Sequence, residues 1–120
     1  MINKRTFKIP IYQGRLIIWF VNDLEEVTKK LGIEPTQGDV EKYSGGAFTL
    51  DGAYNLMFET QVMSPSIIAH ESKHIVNMLF SDFGIQLDVD NDEPECYLLG
   101  WIVDKVHDAW DKLKEQNRNA

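Results

Sequence analysis

The longest apolar run in the chain is Leu16–Val21, Leu-Ile-Ile-Trp-Phe-Val. At six residues it is strand-sized, well short of the roughly 18–20 needed for a membrane helix. It sets the expectation of a water-exposed globule built on a sheet. Thr6 to Tyr12 places Phe7, Ile9 and Ile11 in alternation ahead of it, a second strand pattern in which Pro10 suits a sheet edge. Gln13-Gly14 between the two reads as a turn.

Helical signals follow. Asn22 or Asp23 can cap a helix, with Glu25 or Glu26 three residues on. Leu24, Val27 and Leu31 form its apolar face, and Gly32 stops it. Glu34 to Gly46, with Pro35 and three glycines, reads as a loop. Ala47 to Leu50 and Ala53 to Thr60 flank Asp51-Gly52, a favoured two-residue hairpin turn. Ser64-Pro65 opens a helix reaching about Phe83, where Gly84 follows. After an acidic connection, Leu87 to Glu93, a last helix from about Pro94 to Glu115 carries Leu98, Ile102, Val106, Ala109 and Leu113 at helical spacing.

Composition narrows the function classes. The 120 residues fit one domain, 1–120. Twelve basic and 19 acidic side chains give a net charge of −7, against a phosphate-backbone binder. The single Cys96 cannot form an internal disulfide, and the N-terminus lacks a signal-peptide pattern. These features point to a cytoplasmic protein with neither nucleic acid nor membrane as partner.

The chemistry is concentrated in His70-Glu71-Ser72-Lys73-His74. Four residues advance a helix by slightly more than one turn, so both imidazoles project from one face and can share one Zn²⁺. Glu71 stands about 100° away, placed to take a proton from metal-activated water as general base. At this composition the chance of such a match is about half a per cent.

A catalytic zinc takes a third protein ligand, for which Asp88, Asp90, Asp92, Glu93, Glu95, Cys96 and His107 are downstream candidates. A calcium loop over the alternating aspartates fails, because Glu93 stands where glycine is required and Leu99 where a bidentate glutamate is. His107 lies about 21 Å along a straight helix from Glu93 and reads as a surface residue. Cys96 reads as a small buried residue, and Tyr97 as a helix-packing residue or an oxyanion donor. Trp19, Trp101 and Trp110 read as core or half-buried.

The H-E-x-x-H helix together with Glu93-Pro94-Glu95-Cys96-Tyr97-Leu98-Leu99-Gly100-Trp101 resembles the small gluzincin-type metallopeptidase-like proteins of phages and prophages. The resemblance spans roughly Tyr54 to Trp101. It implies a minimal zincin-like α+β fold, with a small twisted sheet and hairpins packed on the H-E-x-x-H helix and a C-terminal helix. It implies Glu93 as third ligand beside His70 and His74, with Glu95 at a position that is often apolar in the pattern. The implied activity is zinc-dependent hydrolysis of a peptide or protein substrate, with an idle zinc-binding interaction protein as the alternative. It also implies that the strand before the metal helix, here Tyr54 to Thr60, is a sheet edge on which a peptide pairs; the residues read equally as an amphipathic hairpin strand with Tyr54, Leu56 and Phe58 on one face.

Overall fold

A computed structural model describes residues 2–32 and 44–119. The fold is α+β. Strands β1 (Ile2–Lys8), β2 (Arg15–Val21), β3 (Gly45–Leu50) and β4 (Ala53–Glu59) form one mixed sheet in the order β1-β2-β4-β3. Helices α1 (Leu24–Leu31), α2 (Pro65–Asp82) and α3 (Glu93–Arg118) complete it. Two antiparallel hairpins, β1–β2 and β3–β4, are joined through the parallel pair β2–β4.

That parallel pair is buried on both faces. Leu16, Ile18 and Phe20 lie opposite Tyr54, Leu56 and Phe58, and they pack with Ile68, Ile75, Val76 and Leu79 of α2 and Leu98, Ile102 and Val106 of α3. The alternate residues Trp19, Val21 and Met57 turn to the other face, against Leu24 and Val27 of α1. Each large side chain buried this way contributes about 1.5–3 kcal/mol. On the α1 face the Trp19 indole N–H donates to Asn55 Oδ1 at 2.9 Å, and the Asn55 amide donates to the Ala53 carbonyl at 3.0 Å. The buried amide is therefore satisfied at both ends.

Local chemistry sets the helix ends. The Asp23 carboxylate accepts from the Glu26 N–H at 3.1 Å, and Gly32 closes α1 at φ 69°. Ser64 Oγ accepts from the Ile67 N–H at 3.3 Å, with Pro65 in the first turn of α2. The β3–β4 turn places Asp51 at φ 53° and Gly52 at φ 77°, matching the favoured right-twisting hairpin geometry.

Three elements depart from their expected bounds. The first strand covers Ile2–Lys8, not Thr6–Tyr12. Its sheet position comes from pairing with β2, Ile2 opposite Val21 through Lys8 opposite Arg15. Asn3, Arg5 and Phe7 occupy the helix-side face, so no apolar alternation marks it, and Pro10 falls in the turn. Gly45-Gly46, expected in a loop, begin β3; the remainder of that expected loop lies largely outside the described residues. Helix α3 starts at Glu93 and runs to Arg118, a little beyond the expected span at both ends.

One contact ties the sheet to the end of α2. The Tyr54 hydroxyl donates to Asp82 Oδ2 at 2.5 Å. Burial and the Asp82 carboxylate push the Tyr54 pKa up from 10.0 to about 12. The phenol of the unfolded chain ionises first, so this stabilisation is full below about pH 10 and is lost as pH rises towards 12. Urea unfolding midpoints should therefore fall more steeply between about pH 9 and 11.5 in the native protein than in Tyr54→Phe.

Candidate metal centre

Helix α2 packs its Ile68, Ser72, Ile75, Val76 and Leu79 side into the core, and Glu71 lies at the margin of that side. His70 and His74 stand on the flank beyond Glu71 and are exposed. Their Nε2 atoms are 3.2 Å apart, with ring planes at 79°. The Glu71 carboxylate is 3.8 Å from His70 Nε2 and is itself 8% exposed. Ligand atoms of His70, Glu71 and His74 all fall within 4.8 Å of one another. The three form a group able to hold a metal ion.

The donor set fits a small divalent cation. Two nitrogens each about 2.0–2.1 Å from a tetrahedral Zn²⁺ lie about 3.3 Å apart, close to the separation of the two imidazoles here. The 3.2 Å spacing also suits an N–H···N hydrogen bond between one protonated and one bare nitrogen. Glu71 adds a second consideration. Burial pushes its pKa up, and the two imidazoles partly offset that by drawing it down. No described residue donates a hydrogen bond to its carboxylate, whereas a cation on the imidazole pair would compensate its burial.

A close backbone approach holds Glu71 in place. A β-carbon added at Gly45 would stand 3.1 Å from Glu71 Cγ, 3.2 Å from Ile67 Cγ2 and 3.3 Å from the Met57 carbonyl oxygen. The start of β3 thus forms one wall against the general-base candidate. The Gly-Gly pair carries the only sequence sign of this wall, and its expected role was a loop.

The other candidates are spread out. Glu93 is exposed in the first turn of α3 and lies outside the His70–Glu71–His74 group. Glu95 instead pairs with Lys73 of α2, Oε2 to Nζ at 3.3 Å. Lys73 also donates to Asn77 Oδ1 at 2.7 Å. Asp88, Asp90 and Asp92 are exposed, with the Asp88 carboxylate accepting from the Asp90 N–H. His107 is exposed as expected, Trp19 is buried, and Trp101 and Trp110 are half-buried.

Three expectations are corrected. Cys96 is exposed, because it is two residues and about 200° from the core-facing Leu98. Tyr97 is 75% exposed and does not pack between helices. The strand before the metal helix is not a sheet edge. Strand β4 lies between β2 and β3, and the edge beside α2, free among the described residues, belongs to β3.

Comparison with protein-family models, curated proteins and solved structures returns no match. The zincin resemblance rests on the residues themselves.

The Gly45 contact makes a direct prediction. Gly45→Ala should lower unfolding free energy by about 1–3 kcal/mol through overpacking against Glu71 and Ile67. Gly46→Ala, where an added β-carbon meets nothing within 4 Å, should cost far less. Chemical denaturation of the two variants side by side checks this.

Proposed function

We propose that the protein is a zinc-dependent peptidase in which His70, His74 and Glu93 hold the metal and Glu71 is the general base. The observation that carries the reading is the convergence of two imidazole Nε2 atoms, 3.2 Å apart, beside a buried carboxylate that has no hydrogen-bond donor among the described residues. When bound, Zn²⁺ supplies Lewis acidity, lowering the pKa of a water towards about 7 and polarising a carbonyl.

The chain's own residues account for the proton traffic. Glu71 is near enough to the imidazole pair to accept the proton of the attacking water and pass it to the leaving amine. Glu95 is engaged by Lys73, whereas Glu93 has no ion pair or hydrogen bond among the described residues. That difference supports Glu93 as the ligand. The edge of β3, unpaired among the described residues and next to Gly45 and Glu71, is the candidate line for an extended substrate.

Metal analysis by mass spectrometry should find about one zinc per chain after reconstitution, lost in His74→Ala. Glu93→Gln should weaken zinc binding about 10–100-fold and Glu95→Gln only slightly. Glu71→Gln should keep the metal and lose about 10²–10⁴-fold in cleavage of an unstructured peptide library. Absence of stoichiometric metal would overturn the reading. Zinc retention with equal inertness of native protein and Glu71→Gln would leave a metal-binding protein without peptidase activity.

A further inference from the structure

The net charge of the chain sits in one stretch. Residues 75–104 contain Asp82, Asp88, Asp90, Asp92, Glu93, Glu95 and Asp104 and no Lys, Arg or His. These seven acids equal the whole net charge of −7; the remaining residues balance at twelve acids and twelve bases.

The same stretch holds an uncovered apolar strip. Phe83, Ile85, Leu87 and Val89 alternate with Gly84, Gln86 and Asp88 and are 53%, 36%, 49% and 91% exposed. Phe83 closes α2 and Gly84 turns the chain at φ 69°, so the four apolar side chains lie exposed along one short connection. Ile85–Asp88 belong to neither helix nor strand. The Ile85 N–H donates to the Phe80 carbonyl, which anchors the strip to the end of α2, while Gln86 and Leu87 make no hydrogen bond among the described residues. Backbone donors and acceptors are thus free beside the apolar side chains.

The β1–β2 turn extends this surface. The Tyr12 ring stands 5.9 Å from the Phe83 ring and 6.1 Å from that of Phe80. Next to it, Ile11 has φ 66° and is 92% exposed, in a tight turn closed by the Tyr12 N–H on the Pro10 carbonyl at 2.6 Å. A β-branched residue in the left-handed region is strained. Here the strain holds an isoleucine in solvent, where it adds nothing to the core.

We propose that the strip Phe83–Val89, with Ile11 beside it, docks an extended segment of a partner polypeptide in which Lys or Arg residues alternate with apolar ones. Apolar side chains of the partner would cover Ile85 and Leu87, its cations would meet Asp88 and Asp90, and its backbone would pair with Gln86 and Leu87. The charge pattern selects this occupant. A second copy meeting the strip face to face would set aspartate against aspartate with no intervening base. An anionic membrane surface would be repelled by the same acids. The surface does not require the metal, and the proposal does not rest on peptidase activity.

The test is fluorescence anisotropy with a labelled octapeptide of alternating lysine and leucine or valine, at about 0.15 M salt. Native protein should bind it, and Ile85→Ser/Leu87→Ser should weaken binding at least about tenfold. Asp88→Asn/Asp90→Asn, an independent variant at exposed positions, should weaken it several-fold. A matched peptide with serine for the apolar residues should bind weakly, and one with glutamate for lysine not at all. The proposal is overturned by no binding, by unchanged affinity in the Ile85→Ser/Leu87→Ser variant, or by equal affinity for the serine peptide. Concentration-dependent self-association abolished by that variant would give the strip to a second copy. Binding to phosphatidylcholine vesicles abolished by it would give the strip to a membrane surface. Either result also overturns the proposal.

Discussion

The parallel pairing of β2 with β4 is the constraint on which the rest of this structure depends. A parallel pair cannot be closed by a tight turn, so the chain must leave the sheet after Val21 and return to it. Helix α1 begins that crossover and covers one face of the pair, while α2 and α3 cover the other. Strand β3 is hydrogen-bonded to β4 and therefore comes to lie beside α2, where Gly45 backs Glu71. The candidate metal centre is in this sense a product of sheet order. His70 and His74 are set by helix periodicity alone, but Glu71 is buried because a strand edge closes on it.

Features decided by neighbouring residues were legible in the sequence. Asp51-Gly52 specifies its turn, Ser64-Pro65 and Gly32 specify helix ends, and the four-residue spacing of His70 and His74 specifies a shared face. Features decided by partners were not. Strand β1 forms because β2 offers it a ladder, and its inward positions include Asn3 and Arg5, whose Oδ1 and Nε are buried without a hydrogen-bond partner among the described residues. The alternation Tyr54, Leu56, Phe58 suggested a strand with one wet face. In the fold Asn55 and Met57 are buried too, because α1 occupies the far side of the sheet.

The two ends of the acidic connection illustrate the same division. Glu93 and Glu95 are equally acidic and two residues apart, which on a helix sends them to opposite sides. Only the packing of α3 on α2 shows that Glu95 reaches Lys73. The exposure of Cys96 and Tyr97 follows from the same rotation of α3, which commits Leu98, Ile102 and Val106 to the core. Patterns of apolar spacing identify the inward face reliably, and they leave the remaining arc of the helix undetermined.

The register of the sheet also bears on the order in which the chain assembles. Both hairpins pair residues close in sequence, Lys8 with Arg15 and Leu50 with Ala53, whereas the parallel ladder joins Leu16 to Tyr54. Closing that longer loop carries the larger entropy cost, and docking the two hairpins is the natural slow event. Strand β4 runs into α2 through only a short 3-10 turn, Thr60–Val62, so the imidazole pair travels with the second hairpin. Glu93 lies further along the chain, at the start of α3. The proposed ligand set is thereby divided along the chain, its two imidazoles continuous with the second hairpin and its proposed carboxylate on the helix that follows.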